Sequence, residues 1–212
     1  MQLLKDFLKN ELNIIDVDNK LSSFNAYEEL LLEWNKKINL VSRKNDSIET
    51  HLLNSLFFIK EYPLKGFEKL IDIGTGGGFP GIPLKIIYPD ISITLLDSIN
   101  KKVTVVSDII QKLGFINAEA ICGRAEDISK LDKYNKKFDI VISKAVSTLD
   151  NLYKWGDEFL NDNGKFICIK GGDVSEELYG LTRSCPGIKI QVIDFNLPEK
   201  YNIEDKKIVI IN

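Results

Sequence analysis

The sequence predicts an α/β fold in which a seven-stranded, mostly parallel sheet has helices on both faces and a helical cap at its N-terminus. From about residue 69 onward, short apolar runs typical of buried strands alternate with stretches of helical periodicity. Residues 1–68 instead place apolar side chains at every third or fourth position, which indicates amphipathic helices. We therefore divide the chain into a cap over 1–68 and a ligand-binding domain over 69–212, which together form one structural unit.

The cap contains two predicted helices. In the first, apolar residues recur at intervals of three and four from Phe24 through Trp34 to Val41. The second covers 47–61 and ends before Pro63, because a residue that precedes proline is biased away from helical dihedrals. Neither helix has enough apolar residues around it to form a domain alone, so we expect both to lie on the sheet.

Seven strands are predicted in the sheet domain, at 69–73, 92–97, 118–122, 138–143, 165–170, 189–195 and 207–211. Helices or helical turns are predicted between them, at 79–88, 100–113, 125–131, 149–161 and 173–182. Gly114 is a plausible C-cap, and Asn163-Gly164 a turn before the fifth strand. The last two strands lack an intervening helix, which favours an antiparallel hairpin at the end of the sheet.

The first strand runs directly into a glycine-rich loop, Gly-Thr-Gly-Gly-Gly-Phe-Pro-Gly over 74–81. The glycines at 74, 76 and 78 let the backbone turn tightly and let a ligand approach it without meeting a Cβ. Pro80 and Pro83 suit the first turn of a following helix, where a missing N–H costs little. A strand, glycine loop and helix in this order predict a site for a nucleotide-like ligand.

Spacing distinguishes between the candidate ligands. A dinucleotide fingerprint that begins at Gly74 needs a glycine at position 79, which is Phe79. Instead, Asp72 stands two residues before the first glycine, and Asp97 ends the next strand about 20 residues on, where an acid can accept ribose hydroxyls. This pattern resembles the first motif of the Rossmann-like class I methyltransferases, which depend on S-adenosylmethionine (SAM). The predicted cofactor is therefore SAM.

Bulk composition narrows the functional classes. A 44% apolar and 28% charged chain with no apolar run of about 20 residues and no signal peptide predicts a cytoplasmic protein with no membrane partner. The three cysteines, Cys122, Cys168 and Cys185, are far apart and lack metal-ligand spacing, so we expect reduced thiols and no metal. Since the net charge is −3, any binding of nucleic acid must be local.

Further segments match one family: Trp34–Leu40, His51–Leu56, Asp72–Leu84, Leu95–Ser98 with Lys101-Lys102, Gly123–Glu126, Phe138-Asp139 with Ser143–Val146, and Lys170-Gly171. Together they resemble the bacterial small-subunit (16S) rRNA guanine-N7 methyltransferases, RsmG, also called GidB. The most specific of them are the segment Gly-Phe-Pro-Gly-Ile-Pro at 78–83 and the helical Trp-Asn-Lys at 34–36. The resemblance implies an enzyme, a SAM-dependent methyltransferase that methylates N7 of a guanine in 16S rRNA.

The motifs and the resemblance together assign two sets of residues. The predicted cofactor-binding residues are Gly74, Gly76, Gly78, Phe79, Asp97, Ala125, Glu126 and Lys144. The predicted RNA-binding residues are Lys36, Lys37, Arg43, Lys44, His51 and Lys144. The basic run at 36–44 has no acid in it, and we expect it to bind phosphates, joined by the lysines at 101, 102, 206 and 207. The expected partner is 16S rRNA or the small-subunit particle, bound by a monomer.

No catalytic residue is predicted, because N7 of guanine already carries a free lone pair. The task of the enzyme is to align this nitrogen for direct, in-line attack on the methyl group. His51, the only histidine, is accordingly interpreted as a positioning or packing residue rather than a general base.

Three positions depart from the family pattern. Asn54 replaces the usual aspartate, Lys144 replaces an arginine and so loses its bidentate fork, and Lys206-Lys207 replaces an Arg-His pair. Two other functions remain open for such a sequence. One is a small-molecule methyltransferase of the same fold, and the other is a non-catalytic module that binds SAM and RNA during ribosome assembly.

Overall fold

The computed structural model describes residues 1–41, 47–195 and 197–212. Eight helices are present in these ranges: α1 Gln2–Asn10, α2 Val17–Asn35, α3 Glu49–Leu56, α4 Gly81–Ile87, α5 Asn100–Lys112, α6 Ala125–Ile128, α7 Leu149–Gly156 and α8 Ser175–Ser184. Seven strands are present: β1 Lys69–Ile73, β2 Ser92–Asp97, β3 Ala118–Cys122, β4 Phe138–Lys144, β5 Leu160–Gly171, β6 Ile190–Asp194 and β7 Lys206–Ile211. None of the helices in the described ranges is both long and apolar enough to cross a membrane.

The strands form a single sheet in the order β3-β2-β1-β4-β5-β7-β6. The pairs from β3 through to β5 are parallel, whereas β7 runs antiparallel to both β5 and β6. The predicted mostly parallel sheet of seven strands is thus confirmed. From β1 the chain continues to β2 and β3 on one side of β1, and it then crosses to β4 on the other side of β1. This reversal opens a crevice at the carboxyl ends of β1 and β4.

The first cap helix ends earlier than its apolar periodicity predicts, at Asn35 rather than near Val41. The buried Asn35 side chain causes this end, since its Oδ1 accepts hydrogen bonds from the backbone N–H groups of Leu40 (2.7 Å) and Val41 (3.1 Å). Its Nδ2 donates to the carbonyl of Val41 at 3.1 Å. A short amide side chain that satisfies nearby backbone in this way competes with continued helix.

Strand β5 begins earlier than predicted, at Leu160. Phe138 pairs with Leu160 and Ile140 with Lys165, so four residues of β5 between these pairs oppose a single residue of β4. The Asn163-Gly164 turn predicted before the strand lies inside this irregular stretch. The sequence analysis also missed α1, which packs against α2 and α3.

The cap and one face of the sheet share one apolar cluster, which includes Phe24 and Leu31 of α2 together with Leu95 of β2 and Ile142 of β4. The Tyr27 hydroxyl of α2 donates a hydrogen bond to the carbonyl of Gly77 at 2.9 Å. The cap is therefore packed directly against the glycine loop.

Candidate active site

Two adjoining cavities lie at the carboxyl edge of the sheet. The first, of about 440 Å³, lies between the ends of β1, β2 and β4 and the start of α6. The second, of about 460 Å³, lies between the glycine loop, α3 and the ends of β5 and β7. Gly74, Lys144 and Ala145 line both. The glycine loop and the end of β4 thus form the boundary between two spaces, each of a size suited to a small ligand.

Hydrogen bonds to the end of β2 hold the glycine loop in place. The N–H groups of Gly74 and Thr75 both donate to the carbonyl of Leu96, at 2.8 and 3.0 Å. The N–H of Gly76 donates to Oδ2 of Asp97 at 3.0 Å. Asp97 is buried, and its Oδ1 accepts the N–H of Ile99 at 2.9 Å. Loop and acid therefore hold each other beside the first cavity.

The predicted cofactor residues divide between the two cavities. Gly74, Asp97, Ala125, Glu126 and Lys144 line the first cavity. Gly76 and Phe79 line the second, together with Gly74 and Lys144.

Gly78 lines neither cavity. Its φ is +107°, and a Cβ there would come within 2.6 Å of Ile82 and 3.1 Å of the Tyr27 hydroxyl. This glycine allows α4 and the cap to pack closely against the loop, a role that spacing alone does not separate from ligand contact.

Asp72 is completely buried beneath the loop. Its Oδ2 accepts the N–H of Gly81 at 3.0 Å, while its Oδ1 has no hydrogen-bond partner among the described residues. Burial raises the pKa of this carboxyl to about 7, although the nearby Thr75 hydroxyl, the Gly81 hydrogen bond and the positive charge of Lys144 act in the opposite direction. The folded chain therefore holds a proton on Asp72 at a pH where the unfolded chain does not.

Replacing Asp72 by asparagine is expected to stabilise the ligand-free protein at pH 8 but not at pH 4. Because the pKa of Asp72 is higher in the folded than in the unfolded protein, its ionisation costs stability as the pH rises from the unfolded pKa to about 7. The asparagine amide does not titrate and avoids this cost. Thermal unfolding should show a Tm higher than that of the unaltered protein by on the order of 5 °C at pH 8. Asp194→Asn, at an exposed position, is the control, and an equal gain for Asp72→Asn at both pH values would contradict the pKa direction.

Lys144, at the end of β4, is the charged group nearest the boundary of the cavities. Its Nζ lies 4.7 Å from the centre of the Phe79 ring, and it forms no side-chain hydrogen bond or ion pair with the described residues. Burial lowers its pKa to about 8; Asp72 opposes this shift, and Lys206 adds to it. A cation that pairs with none of the described residues and lies beside two cavities is available to an anionic ligand group.

The imidazole of His51 in α3 also lies next to Phe79, with the two ring centres 5.4 Å apart. Burial, and then the positive charge of Lys144, lower the pKa of its imidazole. At neutral pH the ring is therefore uncharged, and its position beside Phe79 suits packing or positioning.

The predicted basic run is placed only in part. Lys36 and Lys37 follow α2, are exposed and line neither cavity. Nζ of Lys37 lies 5.1 Å from the Trp34 ring, whose indole N–H donates to Asp108 at 2.7 Å. Arg43 and Lys44 lie outside the described residues.

The sequence analysis did not place Lys170 in the site. It ends the buried part of β5, lines the second cavity, and donates to the carbonyl of Ser147 (2.5 Å) and to Glu177 (2.6 Å). The bond to Ser147 holds the segment that follows β4 in place. Ala145, in this segment, has a φ of +54°, which is uncommon outside glycine. Lys206 lines the same cavity, so three lysines and no acid occur in its described lining.

One family of known proteins matches most of this chain. The family described as rRNA small subunit methyltransferase G matches residues 20–204. The chain belongs to this family.

Individual members agree with this assignment. The ribosomal RNA small subunit methyltransferase G of Caldanaerobacter subterraneus subsp. tengcongensis is 42% identical over 173 residues, which cover 81% of this chain and 72% of that protein. The protein of the same name from Clostridium botulinum (strain 657 / Type Ba4) is 38% identical over 198 residues, with 92% and 82% covered.

A solved structure supports the fold independently. A SAM dependent methyltransferase from Aquifex aeolicus superposes with a TM-score of 0.57, over 84% of this chain and 96% of that chain, at 18% identity. The predicted Rossmann-like class I methyltransferase fold is thereby confirmed.

Proposed function

We propose that this member of the methyltransferase G family transfers a methyl group from SAM to N7 of a guanine in 16S rRNA. Its relatives are named as methyltransferases of small-subunit ribosomal RNA, and the family match spans residues 20–204. The observation that carries the proposal is the pair of adjoining cavities that share Gly74 and Lys144. The first cavity has the Asp97 carboxylate at the end of a strand, which suits a nucleoside. The second has no Asp or Glu in its described lining, which suits a nucleotide of RNA.

The first cavity has groups that fit SAM. Asp97 stands at the end of β2 for the ribose hydroxyls, and Ala125 with Glu126 forms the wall for the adenine. Gly74 lines this cavity with its backbone, and Lys144, which pairs with none of the described residues, can bind the carboxylate. When bound, SAM supplies a methyl group activated by its positively charged sulfur.

The second cavity has the size and charge for the acceptor nucleotide. Lys144 and Lys206 can attract phosphate, whereas Lys170 is paired with Glu177. Phe79 offers an aromatic surface to a base. An accessible guanine edge is found in single-stranded or looped RNA rather than inside a helix. The exposed Lys36 and Lys37, with Arg43 and Lys44 outside the described residues, would extend the phosphate contacts along the cap.

The residues of this chain act by positioning. N7 carries its own lone pair, so no side chain has to remove a proton, and the rate depends on how the base is held. Phe79, whose ring lies near both His51 and Lys144, is the side chain best placed to orient the base. We infer a monomer that works in the cytoplasm, where ribosomal RNA is found.

Mapping N7-methylguanine in 16S rRNA from cells with and without this gene tests the function directly. We expect one modified guanine to disappear on deletion. The purified protein should then restore it with SAM on small subunits or on naked rRNA from the deletion strain, which also identifies the substrate form. Binding of SAM without any transfer to RNA would instead favour an assembly module, and transfer only to small molecules would favour the other enzyme class.

Methyl transfer is expected to weaken as the pH rises through about 8, because Lys144 loses its charge there. With SAM saturating, kcat/KM for RNA should fall several-fold between pH 7 and pH 9. Lys144→Arg keeps a positive charge over this range, so its profile should remain flat.

The RNA bases also ionise at high pH, and any loss of activity from this cause would persist in Lys144→Arg. The arginine variant therefore separates ionisation of the bases from ionisation of Lys144. An identical fall in Lys144→Arg would exclude Lys144 as the titrating group. Lys36→Arg, at an exposed position outside both cavities, should retain the profile of the unaltered protein.

A further inference from the structure

Asn54, a residue of the second cavity's lining, has a hydrogen-bond acceptor that no described residue uses. It lies on α3, one turn after His51, and both residues line this cavity. Its Nδ2 donates to the carbonyl of Thr50 at 2.9 Å, so the nitrogen is already satisfied. Its Oδ1 is buried and has no partner among the described residues. A buried acceptor left unpaired costs about 1–3 kcal/mol, and such a group calls for an explanation.

The protein side chains around the cavity do not supply the missing donor. Lys170 is held by Ser147 and Glu177, and Lys144 lies over the Phe79 ring. Neither of them, nor any other described residue, forms a hydrogen bond to Asn54 Oδ1. A ligand in the cavity can supply the donor that the described residues do not provide.

Guanine has donors of the required kind, on the side of the base away from N7. N7 and O6 are both acceptors and share one edge, whereas N1–H and the 2-amino group are donors on the opposite side of the ring system. Adenine has no donor at either of these two positions. An acceptor facing this edge distinguishes guanine from adenine and leaves N7 free.

We propose that Oδ1 of Asn54 accepts a hydrogen bond from the N1–H or 2-amino edge of the acceptor guanine and so selects the base. This inference rests on the proposed function, since it assigns the second cavity to the acceptor base. Oδ1 is shielded from water in the present arrangement, and the contact needs a side-chain adjustment of the kind that is common at interfaces on binding. Asn54 is a specificity residue and takes no part in the transfer.

Two variants separate the acceptor oxygen from the rest of the side chain. Asn54→Leu and Asn54→Asp both remove the Nδ2 bond to Thr50, but only the leucine variant removes the acceptor. Any effect of the lost bond within α3 is therefore common to both. Thermal unfolding and calorimetric SAM affinity, measured for both variants, report on the fold and on the first cavity.

The substrate is a small subunit reconstituted with 16S rRNA whose mapped guanine is replaced by inosine, which lacks the 2-amino group, or by 2-aminopurine, which lacks N1–H. For the unaltered protein and for Asn54→Asp, at least one analogue should lower both the RNA affinity and the single-turnover rate about 10-fold or more, as expected for a lost base contact of about 1–3 kcal/mol. For Asn54→Leu, guanine and that analogue should behave alike.

The proposal is overturned if both analogues lower the RNA affinity and the single-turnover rate of Asn54→Leu as much as they lower those of the unaltered protein. A weakened SAM affinity in Asn54→Leu with base discrimination intact also overturns it, since the oxygen would then serve the cofactor. Failure of the proposed function has a different signature: the unaltered protein transfers no methyl group to the guanine-containing subunit, and the inference fails with it.

Discussion

Asp97→Ala is expected to reduce SAM affinity about 100-fold and to remove methyl transfer at ordinary SAM concentrations. The Asp97 carboxylate accepts hydrogen bonds from the N–H groups of Gly76 (3.0 Å) and Ile99 (2.9 Å) at the edge of the first cavity. These bonds fix the carboxylate where it would accept hydrogen bonds from the ribose hydroxyls of SAM, and a hydrogen bond to a charged group contributes about 1.5–3 kcal/mol. A combined loss of about 3 kcal/mol corresponds to roughly two orders of magnitude in the dissociation constant.

Two further variants test whether the loss of SAM affinity comes from the Asp97 carboxylate itself. Asp97→Asn keeps one acceptor oxygen and should have an intermediate affinity. Asp194→Ala, at another strand-end acid that is exposed and paired with Lys207, should bind SAM as the unaltered protein does. Calorimetry with SAM measures all three, and an Asp97→Ala protein that is folded and binds SAM normally would remove Asp97 from the cofactor site.

Gly74→Ala is expected to destabilise the protein by about 3 kcal/mol and to distort the boundary between the two cavities. The φ of Gly74 is +75°, a region that disfavours any residue with a Cβ. The added Cβ would also lie 2.6 and 2.8 Å from the two Cγ atoms of Val146. Denaturant unfolding gives the free energy, and calorimetry gives the accompanying loss of SAM affinity.

Gly114→Ala separates backbone strain from collision. Gly114 has a similar φ of +65°, but a Cβ added there would have no heavy atom of the described residues within 4 Å, so this variant should lose only about 1 kcal/mol. Adding Val146→Ala to Gly74→Ala removes both Cγ atoms and should recover part of the lost stability. If Gly74→Ala and Gly114→Ala lose equal stability, the contact with Val146 has no energetic role.

The predictable part of the fold follows from local patterns that tertiary contacts do not alter. The apolar runs at 69–73 and 92–97 were predicted as strands with the bounds that the structure has, because strands buried on both faces are continuous apolar segments. The order of glycines and acids around Gly74 likewise placed the loop, and with it the site, at the carboxyl edge of the sheet.

The less predictable part depends on side chains that meet across the fold. The buried amide of Asn35 ends α2 by bonding the chain that follows, against an apolar periodicity that continues to Val41. Lys170 is remote from the glycine loop in sequence, and only the pairing of β5 with β7 brings it together with Lys206 at the second cavity.

The sequence alone was sufficient for the class of fold, the glycine loop and the methyl donor, because strand periodicity, glycine spacing and strand-end acids act over short stretches of chain. Only the tertiary structure separated Gly78, which packs against Ile82 and Tyr27, from Gly74, which lines both cavities. It also decided the altered pKa values of Asp72 and Lys144 and the unpaired oxygen of Asn54. These properties depend on burial and on neighbours from distant segments, and both exist only once the chain has folded.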